Sequence, residues 1–202
     1  MASGQQAISR RTLIGGIGGA LATLLATQKH VLAAPGKNER VNDPFIVLLK
    51  GVYAPVIANQ GPAGNLGLTS VDLNDGSYSR VPIHPVFGMD PSHNQDHPIG
   101  TFYVQFTGMM CAYDLPGGAI AMQFLNPPDG APPGYNAFVA HDDGVGGFFL
   151  EGTWELTIVE ATGVYQPFEG GHNHMVDRLH QLADGMSYDE FCFCNVSKYQ
   201  FP

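Results

Sequence analysis

His172-Asn173-His174 places two imidazoles at positions i and i+2. On a β-strand these project to the same side, where both rings can bind one metal ion. His141-Asp142 and His180 are further ligands that folding can bring near. A second set is Glu155 with Tyr103, Gln105 and Gln123, on the polar positions of three alternating segments. Turned inward, that face makes a polar pocket in which a partly desolvated Glu155 has a raised pKa, suited to general acid or base work. Turned outward, it is a solvated wall. Glu155, Tyr103 and His172 are the expected catalytic residues, and Gln105, Gln123, Trp154 and Tyr165 the expected binding residues. His172 and His174 are the expected metal ligands. Residues 90–97 hold a third set, His93, Asp96 and His97, but Pro91 and Pro98 make that stretch a loop. Cys192 and Cys194 share one strand face, where they suit a soft metal or a structural role.

Short strands must position these groups. The chain has 202 residues, of which 26 are Gly and 15 Pro, a mix that disfavours long helices. Apolar residues make up 44% and charged ones 13%, enough to bury a core in a single domain. The net charge of -9, from 9 basic and 18 acidic residues, excludes a surface that wraps phosphate backbones. Residues 101–107, 119–124, 153–159 and 191–196 alternate apolar with polar side chains, as half-buried strands do. Phe102, Met122, Trp154 and Ile158 are the bulky residues expected in the core. Asn74-Asp75-Gly76 reads as a hairpin turn between strands over 66–73 and 78–86. Residues 175–182 fit either a helix face, through Met175, Leu179 and Leu182, or another strand. About eight strands at short spacing point to an all-β closed barrel or sandwich with little helix.

The first 33 residues read as an address. Ser9-Arg10-Arg11 precedes a weak apolar run over 13–26, diluted by four glycines, and Lys29 follows it. The run is too short and weak for a spanning helix. It resembles a twin-arginine export signal, with cleavage expected after Val31-Leu32-Ala33. The mature domain is then 34–202, secreted or periplasmic, with the twin-arginine export machinery as a partner. No stable membrane insertion and no nucleic-acid partner are expected. In an oxidising compartment three cysteines permit one disulfide, read as Cys111 with Cys192 or Cys194, since neighbours on one strand face do not readily pair. The alternative is three buried, inert thiols.

Two family resemblances bear on function. The stretch LEGTWELTIVEATGVYQPFEGG, with Leu156-Thr157-Ile158, Ala161-Thr162-Gly163, Tyr165 and Gly170-Gly171, resembles the strand-turn-strand of the allene oxide cyclase and dirigent families. The likeness extends over residues 100–180. It implies a single antiparallel eight-stranded barrel with a mostly apolar pocket. It also implies a protein without a cofactor that steers a small apolar or phenolic molecule into one product, as a cyclase or isomerase or as a stereo-guiding protein. Assembly into a homo-oligomer is compatible with this reading. His-x-His is also part of the cupin metal motif, which carries a glutamate a few residues on; here Asp177 is the only acid nearby. The alternatives are a cupin-like enzyme that uses a transition metal on His172 and His174, and a non-enzymatic envelope binding protein.

Overall fold

Apolar residues at every second position send alternate side chains to opposite faces of a strand, and closure of the sheet makes one face an interior. The structure is a computed structural model that describes residues 40–62, 64–90, 96–184 and 188–200. The leader read over 1–33 and the loop residue His93 lie outside the described residues. Ten strands run in chain order: β1 (Phe45–Val52), β2 (Ala54–Pro55), β3 (Ser79–Phe87), β4 (Gly100–Gln105), β5 (Met110–Leu115), β6 (Gly118–Phe124), β7 (Val139–Asp142), β8 (Phe148–Ala161), β9 (His172–Gln181) and β10 (Tyr188–Ser197). The pairing order β1-β10-β9-β8-β6-β5-β4-β3 is closed by β1 on β3, giving an eight-stranded antiparallel barrel. β2 and β7 pair only at its margins, with β3 and β8. The sole helical element among the described residues is a 3-10 turn, η1 (Gly163–Phe168). None of their helices is long and apolar enough to cross a membrane.

The core fills the barrel. Phe45, Val47 and Leu49 from β1 meet Phe102, Tyr113, Ile120, Met122, Leu156, Ile158 and Met175, all essentially inaccessible to water. Phe102, Met122, Trp154 and Ile158 point inward, as their alternation requires. Residues 175–181 continue as strand, so Asn173, Met175, Asp177 and Leu179 share the inner face of β9.

One end of the barrel is plugged. After β8 the chain turns through Gly163, whose positive φ and contact with Gly117 leave no room for a Cβ. The following 3-10 turn drives Tyr165 and Phe168 against Phe45, with ring centroids at 5.8 and 5.3 Å. The Tyr165 hydroxyl donates to the Pro116 carbonyl at 3.1 Å.

A second apolar cluster lies outside the barrel. Residues 66–73, expected as a strand, are irregular. The connection 56–78 instead lays Val56, Leu68, Val71, Leu73 and Tyr78 over the outer faces of β4 to β6, against Tyr103, Ala112, Ala119 and Ala121. The alanines give a wall low enough for the loop to pack on. Glu160 pins this loop by accepting from the backbone N–H groups of Thr69 and Ser70 at 2.8–2.9 Å.

The expected link from Cys111 to Cys192 or Cys194 is not formed: all three are buried free thiols. β5 and β10 stand on opposite walls of the ring, and a disulfide needs Cα atoms within about 7 Å. Cys192 and Cys194 share an inner face with their sulfurs 3.7 Å apart, a contact and not a bond.

Candidate functional site

At the end opposite the plug, the strands open onto a pocket of about 200 Å³. Its walls come from β4, the turn between β4 and β5, the end of β6, and the middle of β8 and β9. Tyr53, Phe102, Phe106, Phe124, Phe138 and Trp154 supply rings, and Met109, Met175 and Val104 fill the gaps. Trp154, the chain's single tryptophan, stands nearly perpendicular to Phe124 (5.4 Å, 85°) and to Phe138 (4.9 Å, 73°). Tyr53 and Phe106 form a second corner (5.6 Å, 66°). Phe138 reaches the pocket from the loop after β6. That loop is tied along β8 by Asn136, whose N–H donates to the Thr153 carbonyl and whose side-chain oxygen accepts from the Glu155 N–H, both at 2.7 Å.

Asp177 is the one charged side chain in this mostly apolar lining, which also holds Gln105. The β9–β10 register sets Asp177 opposite Cys192, and Glu190 comes beside it on the inner face of β10. Their ligand atoms lie within 4.8 Å of one another, and all three residues are buried. Burial, against a hydrogen bond from Glu190, pushes the Asp177 carboxyl up to about 6. Burial first, then the neighbouring Asp177 charge, pushes Glu190 up to about 10. The two behave as one site: at neutral pH Glu190 keeps its proton and donates it to the Asp177 carboxylate, so the pair carries about one negative charge. Tyr53 hydrogen-bonds Glu190 from the other side, and burial holds its phenol well above its ordinary range. The Trp154 indole N–H favours the ionised form of Asp177, although it falls outside strict hydrogen-bond geometry. Burial likewise raises the Cys192 thiol, so that sulfur is protonated.

The residues singled out from sequence are distributed otherwise. Trp154 and Gln105 line the pocket. Gln105 also donates to Ser77 at 2.6 Å. Tyr103 points outward beneath the 56–78 loop, where burial pushes its phenol up to about 12. Gln123 is exposed, and Tyr165 belongs to the plug at the far end. Glu155, His172 and His174 do meet, but on the outer face of β8 and β9. One Glu155 carboxylate oxygen contacts His172 Nε2, and the other lies 2.7 Å from His174 Nδ1. A carboxylate bridging two rings differs from two rings converging on one ion. Burial draws His172 below its ordinary pKa against the opposing pull of Glu155. The additional ligands considered for this pair are engaged elsewhere. His180 meets Asp143 at 2.8 Å and stacks on Phe149, and His141 lies 3.9 Å from Glu151.

Asp177 and Glu190 were not among the expected catalytic residues. A readable signal existed: Asn173-x-Met175-x-Asp177-x-Leu179 and Glu190-x-Cys192-x-Cys194-x-Val196 each put a carboxyl on the apolar face of an alternating strand.

A wider groove of about 670 Å³ runs over the outer face between residues 132–135 and Val176, Phe191 and Phe193. Its arginine, Arg178, is already paired with Glu151 at 3.2 Å and lies over the Phe149 ring. Its exposed wall of Val176, Phe191 and Phe193 is apolar.

Fold and site together define a small antiparallel barrel plugged at one end, with an aromatic pocket and a proton-sharing carboxyl pair at the other. No protein-family model, curated protein or solved structure matches the chain.

Proposed function

We propose that the barrel mouth binds a small, largely apolar molecule and that Asp177 and Glu190 move a proton on it, as a cofactor-free cyclase or isomerase. A stereo-guiding protein that only orients a reactive molecule is the variant without proton transfer. The observation that carries the reading is the carboxyl pair at the wall of an aromatic pocket. Two acids whose environments drive their pKa values apart are the usual arrangement for one proton acceptor and one proton donor. Ionised Asp177 touches the pocket and is the base. Protonated Glu190 behind it returns the proton through Asp177, so the pair ends the cycle as it began. The aromatic walls exclude water, which strengthens both roles.

The volume limits the ligand. A cavity of about 150 Å³ lined by aliphatic and aromatic side chains holds a benzene ring. A pocket of about 200 Å³ therefore suits a single-ring molecule or an aliphatic one of equal bulk. The resemblance of residues 100–180 to the allene oxide cyclase and dirigent families belongs to this proposal, as does export by the leader over 1–33.

Trp154 makes the test direct. Simple phenols and alkylbenzenes titrated into the protein should change its fluorescence saturably, and Asp177→Asn should retain binding of these neutral probes while abolishing turnover of any substrate found. Phenols that bind without perturbing Trp154, or full turnover in Asp177→Asn, would overturn the assignment.

A further inference from the structure

Among the described residues, Asp177 is a buried carboxylate with no cation beside it. The groups that face it are Glu190 and Cys192 from β10, Trp154 from β8, and Tyr53 beyond the end of β1. None is a Lys, Arg or His, and among the described residues no ion pair involves Asp177. Its neighbour in sequence, Arg178, points to the outer face and is held by Glu151. One oxygen, Asp177 Oδ1, is buried without a hydrogen-bond partner. A buried charge left without a counterion is costly, and proteins ordinarily supply one.

The walls around that carboxylate supply the other half of the argument. Trp154 meets Phe124 and Phe138 edge to face in one corner of the pocket, at 5.4 and 4.9 Å, instead of stacking on them. Ring faces carry partial negative charge and attract cations, indole most strongly. An aromatic corner with an uncompensated carboxylate discriminates by charge as well as by shape.

We propose that the barrel mouth is a receptor for a small organic cation, an amine or quaternary ammonium, whose nitrogen sits in the Trp154-Phe124-Phe138 corner and pairs with Asp177. The inference rests on the reading of this pocket as the ligand site and names the class of ligand it takes. A neutral molecule of the same shape fills the space but leaves the Asp177 charge unanswered. The carboxyl pair holds about one negative charge at neutral pH, which matches one ammonium and not two.

Choline and 3,3-dimethylbutan-1-ol test this, because they share a shape and differ in one positive charge. Both fit within about 200 Å³. Each is titrated into the full protein at pH 7.5 and low salt, with Trp154 fluorescence as the readout. Choline should bind at least tenfold tighter than the alcohol. In Asp177→Asn the two affinities should come within about twofold, through loss of choline binding alone. A second measurement needs no variant: choline affinity should fall several-fold from pH 7.5 to pH 5 as Asp177 takes up a proton, while the alcohol is unaffected. Equal binding of the two at pH 7.5 would overturn the cation inference and leave the apolar pocket standing. If neither compound, and no phenol or alkylbenzene, perturbs Trp154, both the inference and the pocket reading fall.

Discussion

Glu190→Gln should make the protein more stable at neutral pH. Glu190 is 2% exposed, and its carboxyl holds its proton up to about 10 in the fold, against an ordinary value of 4.5 in the unfolded chain. Between those values the folded state binds one proton more than the unfolded state. Stability from this group is fully present below pH 4.5 and is lost as pH rises toward 10. Each pH unit in that window weakens folding about tenfold. Three units, from pH 4.5 to 7.5, amount to roughly 4 kcal/mol, reduced to about 2–4 if the unfolded chain retains structure. Glutamine has nearly the same shape, can donate its N–H to Asp177, and has no proton to retain. Asp177 adds a second retained proton between 3.8 and about 6, a contribution confined to the acid end of the window and similar in both proteins where the glutamine keeps the hydrogen bond to it. Urea unfolding followed by Trp154 fluorescence and circular dichroism at pH 4.5, 6, 7.5 and 9 measures the difference. The curves should coincide at pH 4.5 and separate steadily above it. Parallel pH dependence in the two proteins would refute the claim that Glu190 is buried in its neutral form.

Further outcomes follow from the packing. Phe138→Ala should shift Trp154 emission to the red, weaken binding in the pocket, and cost about 1–2 kcal/mol, because the ring is only partly buried. Thiol counting on denatured, unreduced protein should give three, and on native protein close to none; a denatured count of one would reveal a bridge. Glu155→Gln should destabilise by about 1–2 kcal/mol, since an amide oxygen cannot replace both carboxylate contacts to His172 and His174. Because that cluster lies outside the barrel, ligand binding at Trp154 should be unchanged, and a loss of binding would move the site outward. Gly163→Ala should cost about 2 kcal/mol or more in chemical denaturation, through the positive φ and the collision with Gly117 that releases the Tyr165–Phe168 plug.

Much of the barrel is written locally. Alternation in 101–107, 119–124, 153–159 and 191–196 already separates Phe102, Met122, Trp154 and Ile158 from their polar neighbours, because successive strand residues face opposite ways wherever the strand pairs. The same rule puts His172 and His174 on one side together, but Glu155 reaches them only through the β8–β9 register, which sets it opposite His174. Which side is inside is another matter. Tyr103 reads as a polar-face residue, yet it is buried, because the 56–78 connection folds across the outside of the barrel. No period in 101–107 encodes a loop that arrives from elsewhere in the chain. Asp177 and Glu190 are apart in sequence, and their pairing depends on the β9–β10 register and on the barrel closing around them. Closure also brings Tyr53 to the same site and sets Cys111 on the wall opposite Cys192 and Cys194. Desolvation then turns two ordinary carboxyls into a proton-sharing pair. That change is a property of the enclosed space and is absent from any stretch of strand considered alone, since a pKa responds to everything packed around the group.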